Sequence, residues 1–234
     1  MKPMTIKSWT AIIPARGGSK GLPQKNTRLL AGKPLYLHSV NQALDAGAKR
    51  VVITTNIDDI LTTQHERNVT AIRRPERLCN DEVAMSPVVI HAIETQEIEG
   101  VFVLLQPTSP LRTVSDIEAA VHLHSKRKFD LVMSVTQQDS SILKGGFLNE
   151  NRFKPLVDSG YTFQNRQNLP YVVRPNGAVY VADAHWFLEN KGFQSDSIGA
   201  IEMSPESSID IDLLEDFMAC EALYQSTQPT GSTQ

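Results

Sequence analysis

Short apolar runs alternate with amphipathic stretches along most of the chain. Trp9 to Pro14 reads as a buried strand, and Pro14, with no N–H to donate, ends its pairing. Leu35, Leu37, Val40, Ala43 and Leu44 recur at helical spacing, with Pro34 in the first turn and Gly47 as the stop. Arg50 to Thr55 is β-branched and reads as a parallel strand. A polar helix over Asp58 to Arg67, a strand over Val69 to Ile72 and a helix from Ser86 to Glu97 follow. Val101 to Gln106 is the most apolar strand. Ser115, with Glu118 three residues on, forms a capping box that opens a helix through Ile117, Ala120, Val121 and His124. Asp130 to Val135 is the next strand. This repeated alternation predicts an α/β fold built on a doubly wound, mostly parallel sheet. Ligands in such sheets bind beyond the carboxyl ends of the strands.

The pattern then breaks. Residues 137–173 are polar, glycine-containing and without a clean period, and read as an excursion from the sheet. Asn176 to Ala182 and Ile198 to Met203 resume strand character, with a helix over Trp186 to Lys191 between them and a last helix over Leu213 to Tyr224. The expected organisation is therefore an α/β domain from residues 1–136 and 174–225, an inserted arm at 137–173, and a disordered tail at 226–234.

Composition narrows the function. A net charge of −3 supplies no basic field for nucleic acid. Cys79 and Cys220 form neither a disulfide framework nor a C-x-x-C pair, which fits a reducing compartment. Met1 to Thr10 lacks the apolar region of a secretory signal, and no apolar run is long enough to span a membrane. A soluble cytoplasmic protein is the expectation.

The densest chemistry lies in Ile12-Ile13-Pro14-Ala15-Arg16-Gly17-Gly18-Ser19-Lys20-Gly21-Leu22-Pro23-Gln24-Lys25-Asn26. Glycines let backbone N–H groups and a bulky anion approach one another, and Arg16, Lys20 and Lys25 supply charge for a polyphosphate. Neither the P-loop spacing nor G-x-G-x-x-G is present; a solvated basic loop is the competing reading. Asp210 and Asp212 share a face if the chain is extended there, which suits a hard cation such as Mg²⁺; helix capping is the alternative. Gln106-Pro107-Thr108-Ser109-Pro110-Leu111-Arg112 is a stiff polar loop able to read a sugar or base edge, or a plain turn into a helix. Arg166, Arg174 and Lys144 are cations suited to a carboxylate, or solvated surface charge. His38, His65, His91, His122, His124 and His185 show no metal-ligand spacing, and no G-x-S-x-G elbow is present.

Five stretches together resemble the CMP-sialic acid synthetases, the acylneuraminate cytidylyltransferase family: residues 12–26, R-R-P-E-R-L at 73–78, L-L-Q-P-T-S-P-L-R at 104–112, R-P-N-G-A-V-Y-V at 174–181 and S-I-D-I-D at 208–212. The resemblance implies a Rossmann-like nucleotidyltransferase that transfers CMP from CTP to a nonulosonic acid such as N-acetylneuraminate, with release of pyrophosphate. It implies nucleotide contacts from Ala15, Arg16, Gly17, Ser19, Lys20, Lys25, Asn26 and Arg74. Sugar contacts would come from Gln106, Lys144, Arg166, Asn176 and Tyr180. Asp210 and Asp212 would handle Mg²⁺, with Mn²⁺ an alternative. Arg16, Lys25 and Asp212 would be catalytic, Asp212 as a base or through the metal. The arm would make a homodimer. Two departures stand out: Gln24 replaces an Arg or Gly common in relatives, and Leu213 replaces a Thr after the second Asp, leaving the last helix less well capped. Legionaminic and pseudaminic acid fit the pattern as substrates too, whereas the Kdo-activating relative has a different first loop. A D-x-D glycosyltransferase using nucleotide sugars is the alternative of another class, and a non-catalytic nucleotide-binding regulator a third.

Overall fold

In a computed structural model of the chain, which describes residues 8–227, the first strand β1 (Trp9–Pro14) is buried along its whole length. Ala11 and Ile13 face one apolar layer and Ile12 the other, the two-residue alternation of a strand covered on both faces. A two-rung hairpin, β2 (Leu29–Leu30) and β3 (Lys33–Pro34), leads into α1 (Leu35–Asp45). Pro34 thus stands at the helix N-cap rather than in its first turn. β4 (Arg50–Thr55) follows, then α2 (Asp58–Thr62), which is shorter than its polar sequence suggests. The Thr63 hydroxyl bonds the Asp59 carbonyl at 2.6 Å and the chain turns extended there, so local side-chain bonds replace the next helical turn.

β5 (Val69–Arg73), α3 (Met85–Thr95) and β6 (Val101–Leu105) continue the alternation. α4 (Val114–Ser125) carries a capping box, but its partners are Thr113 and Asp116, two residues ahead of the expected Ser115 and Glu118. β7 (Leu131–Gln138) enters the excursion, which holds a detached hairpin, β8 (Gly146–Asn149) and β9 (Arg152–Pro155). β10 (Val172–Asp183), α5 (Ala184–Asn190), β11 (Ile198–Glu202) and α6 (Leu214–Thr227) complete the order. The sheet reaches further than its hydrophobic pattern, since Val172 pairs with Gln138 inside the expected excursion. The expected tail falls beyond α6, outside the described residues, apart from its first two positions in the helix.

The seven-stranded sheet runs β11-β7-β10-β6-β1-β4-β5, and β10 alone is antiparallel to its neighbours. The doubly wound, mostly parallel sheet read from the sequence is therefore the architecture found. One core layer packs α1 and α4 on the sheet, the other α3 and α5. Chain order reverses between β1 and β6, so a crevice opens beyond their carboxyl ends. No helix among the described residues is long and apolar enough to cross a membrane.

At this switch point the largest fully buried side chain is Arg112. Its Nη1 donates to the carbonyls of Ala178 at 2.6 Å and Gln106 at 3.3 Å, and its Nη2 to Ser39 Oγ at 2.8 Å and Gln42 Oε1 at 2.9 Å. Burial pushes its pKa down to about 9, with Asp116 opposing the shift. All four acceptors are neutral oxygens, drawn from α1, β10 and the loop after β6. A lysine has no rigid fork to reach them. Arg112→Lys is expected to lose at least about 2 kcal/mol, because buried acceptors go unpaired. Urea denaturation reads this directly, and a variant within about 0.5 kcal/mol of wild type, the scatter of neutral surface changes, would refute the role.

Candidate active site

Three loops meet over the switch point: residues 15–28 after β1, 106–112 after β6, and 208–213 before α6. The first is shaped by backbone needs. Ala15 N–H extends the β1 pairing to the Thr54 carbonyl at 3.0 Å, and Gly17 N–H donates to Asn56 Oδ1 at 2.8 Å. Buried Asn26 closes the loop at its neck, donating from Nδ2 to the Arg16 carbonyl at 2.8 Å. Gln24 holds a left-handed φ of 55°, where glycine meets no strain. Leu22 drops into a small apolar cluster with Leu30, Leu35, Ile211, Phe217 and Cys220, which fastens this loop to the last one.

Ile211 is fully buried in that cluster, while Asp210 and Asp212 on either side of it are exposed. Their loop is fixed by Ile211 N–H donating to the Thr108 carbonyl at 2.8 Å. Lys25 Nζ donates to the Ile211 carbonyl at 2.7 Å and to Asp212 Oδ1 at 3.0 Å, joining cation loop to carboxylate loop. Gly21 lies so close that a Cβ there would come within 2.5 Å of the Asp212 carbonyl oxygen. The α6 start is not left bare by Leu213: Asp216 accepts from Asp212 N–H at 3.0 Å and Leu213 N–H at 2.7 Å. Capping is thus done by Asp216, while Asp210 lines the pocket beside it and Asp212 meets Lys25.

The charges interlock. Arg16 donates to the Cys79 carbonyl at 3.3 Å and pairs with Asp81; Lys20 pairs with the same carboxylate at 3.2 Å. Hydrogen bonds from Arg16 and then Lys20 hold the Asp81 carboxyl below its usual range. Asp210 is pushed up, first by desolvation in the concave site and then by Asp212 and Asp216, while the Thr108 hydroxyl and Lys25 oppose the shift. Its side chain is solvent-accessible, so it lines a wet crevice rather than a sealed core. Burial, and then Asp210, raise the Tyr180 phenol. Asp210 and Asp212 are the oxygen ligands suited to a divalent cation. No group of three or more His, Cys, Asp and Glu side chains among the described residues is placed to hold one. A two-carboxylate set fits Mg²⁺, which takes its remaining ligands from substrate phosphates and water.

Other expected residues fall differently. Ser19 lies in the first loop, half-buried between Gly18 and Lys20. Arg74 is buried, and its guanidinium donates to the Thr54 carbonyl at 2.8 Å, at the end of β4, where it braces the sheet edge. Burial lowers its pKa to about 10. Asn176 is likewise interior: its Nδ2 donates to Ser208 Oγ at 2.8 Å and its Oδ1 accepts from Ser134 Oγ at 2.5 Å. It ties a bulge in β10 to the carboxylate loop. Gln106 ends β6 with its amide beside Gly177, and Tyr180 packs on Phe193 at 5.2 Å. Lys144 and Arg166 sit on the excursion, Arg166 paired with Asp139 at 3.0 Å.

Sequence reasoning missed Asp81, whose partner Arg16 lies 65 residues away and leaves no local signal. It missed the Asp216 cap too, although an acid in the first turn of a helix is a signal that could have found it. Arg174, read as one of three cations, instead borders a pocket of about 300 Å³ with Thr136, Gln137, Ser208, Asp210 and Asp216. The Thr136 hydroxyl there is buried without a partner.

Comparison with known proteins bears on this geometry. The family model for cytidylyltransferases matches residues 10–227. An N-acylneuraminate cytidylyltransferase of Streptococcus agalactiae is 31% identical over 93% of this chain and 52% of its own length. The chain thus spans about half of that relative. A CMP-N,N'-diacetyllegionaminic acid synthase of Legionella pneumophila is 32% identical over 93% of this chain and 97% of its own. Among solved structures, a CMP:2-keto-3-deoxy-manno-octonic acid synthetase complexed with CTP superposes with a TM-score of 0.71, over 95% of this chain and 100% of that one. At 17% identity this likeness speaks for the fold. The resemblance carried by the five sequence motifs holds at the level of the family: the chain belongs to the cytidylyltransferases.

Proposed function

We propose that the protein transfers CMP from CTP to a nonulosonic acid, N-acetylneuraminate or a close relative, and releases pyrophosphate. The observation that carries this reading is the Lys25–Asp212 junction, where a polycationic loop meets a paired-carboxylate loop at the switch point. A triphosphate needs fixed cations on one side, and Arg16, Lys20 and Lys25 supply them; such preorganised charge stabilises a developing anion without reorganising. Asp210 and Asp212 would hold Mg²⁺, which when bound offsets phosphate charge at the leaving oxygens. The anomeric hydroxyl of the sugar attacks the α-phosphorus in line with departing pyrophosphate. Asp212, whose side chain is 73% exposed and whose Oδ1 takes Lys25 Nζ, is assigned the hydroxyl proton through its other oxygen. A D-x-D glycosyltransferase or a silent regulator is less well supported, given the family and the complete cation set.

The pocket bordered by Arg174 offers the sugar acid a cation beside Asp210. Gln106 and Tyr180 are assigned to the sugar as well. Lys144 and Arg166 enter through a second copy. The excursion exposes Ile142, Phe147, Leu148, Phe153, Leu156, Val157 and Phe163, with Leu148 74% and Phe163 92% accessible. An apolar surface of that kind marks an interaction site, and we assign it to a homodimer. The enzyme works in the cytoplasm, where CTP is made and where two buried free thiols stay reduced.

The reading is tested by supplying CTP, Mg²⁺ and each nonulosonic acid in turn, with pyrophosphate as the readout; silence with all of them overturns it. Asp212→Asn is expected to keep CTP binding and lose about a hundredfold or more in turnover, the scale of a lost general base. Near-normal turnover would remove Asp212 from the chemistry. Arg174→Ala should raise the KM for the sugar about tenfold or more while the KM for CTP holds, the scale of one charge-assisted bond; an unchanged sugar KM counts against the pocket. Sedimentation of Leu148→Asp/Phe163→Asp should show a monomer where wild type is a dimer, and a wild-type monomer would dispose of the dimer proposal.

A further inference from the structure

Arg16 and Lys20, two of the three cations that the proposed reaction assigns to the triphosphate, are already engaged. Both meet the carboxylate of Asp81, Arg16 at Oδ1 and Lys20 at Oδ2, so a single anion bridges them as a phosphate group would. Its position is built. Asn80 Oδ1 accepts from Glu82 N–H at 3.0 Å and Val83 N–H at 3.1 Å, an Asx turn that presents the residue between them. Just upstream, the Cys79 carbonyl takes a second bond from Arg16 at 3.3 Å. The guanidinium therefore lies against this loop at two points.

We propose that Asp81 is an internal counter-ion that stands in for the nucleotide's phosphates and yields to them, acting as a positioning residue through Arg16 and Lys20. One carboxylate against two cations leaves a net positive charge to attract a polyphosphate from solution. Without any anion the two cations would repel each other across Gly17 and Gly18, and Gly18, at φ +74° with nothing within 4 Å of its Cβ direction, offers no packing to hold them. The exchange costs little. The side chains of Arg16 and Asp81 are 28% and 29% exposed and that of Lys20 85%, so water reaches both pairs and weakens the Lys20 pair most. A triphosphate, with more charge and more oxygens, displaces the carboxylate. When pyrophosphate leaves, Asp81 closes over the same cations and competes against its return.

This inference rests on the proposed reaction only for the identity of the polyphosphate, so the test uses an inorganic one. Calorimetric titration with tripolyphosphate compares wild type, Asp81→Asn and Asp81→Glu. Asp81→Asn is expected to bind about threefold to tenfold tighter, the scale of two exposed ion pairs no longer competing, with Asp81→Glu close to wild type. In turnover assays the KM for CTP and the inhibition constant for pyrophosphate should both fall in Asp81→Asn, a split that general loop damage does not produce. Equal or weaker tripolyphosphate binding by an Asp81→Asn protein of normal melting temperature overturns the proposal. Should that variant melt early, Asp81→Ser is titrated in its place and judged by the same two outcomes. Tighter binding in a protein that releases no pyrophosphate from CTP would leave the counter-ion standing and remove the reaction; turnover without tighter binding would do the reverse.

Discussion

A guanidinium sealed from water must find an oxygen for its N–H groups or leave a charge stranded, and that demand organises the centre of this protein. Arg112 meets it at both terminal nitrogens with neutral acceptors from α1, from β10 and from the turn that follows β6, while its Nε–H stays buried without a partner. Each acceptor belongs to an element bordering the switch point. Satisfying the cation therefore sets the end of β6 against α1 and against the one reversed strand. Gln42 adds to the same junction by donating to the carbonyls of Pro110 at 2.8 Å and Arg112 at 2.6 Å. The stiff 106–112 loop is thereby held from both sides, and Thr108 can present its carbonyl to Ile211 and its hydroxyl to Asp210.

From that fixed loop the reactive groups are arranged by small, separable contacts. An apolar cluster holds Leu22 and Ile211 together, Gly21 lets the two backbones touch, and Lys25 bridges what remains. Apolar burial supplies the attachment, which is insensitive to salt, while the Lys20–Asp81 pair beside it is open to water and exchangeable. The division is suited to a site that must keep its shape while trading one set of anions for another.

The strands of the sheet were legible because each is short, apolar and bounded by turn residues, and so was their mostly parallel order, because helices alternate with them. Local hydrogen-bonding choices were less legible. Thr113 and Ser115 both begin a plausible cap, and it is the first that closes, with Asp116. The polar stretch after Asp58 keeps helical composition, yet threonine hydroxyls take its carbonyls. At the site, Arg16, Lys25, Asp210 and Asp212 announced themselves by charge in a distinctive spacing. Arg74 and Asn176 carry the same polar groups in family motifs, but whether such a group faces a ligand or braces a strand end depends on burial, which spacing does not report. Asp81 pairs across 65 residues and could be found only in three dimensions.

One topological detail has a bearing on how such a chain diversifies. β10 runs opposite to β7, and the excursion leaves from Gln138 and returns at Val172, residues that are paired neighbours. The inserted stretch therefore opens and closes on a single rung of the sheet, at the rim of the crevice. Its length and sequence can drift without stretching the core or shifting the loops that hold the nucleotide side. On the function proposed above, mutational change in that stretch would fall on sugar choice and on self-association together and would leave the phosphate chemistry intact. A new sugar preference and a new partner surface would then arise from the same few substitutions.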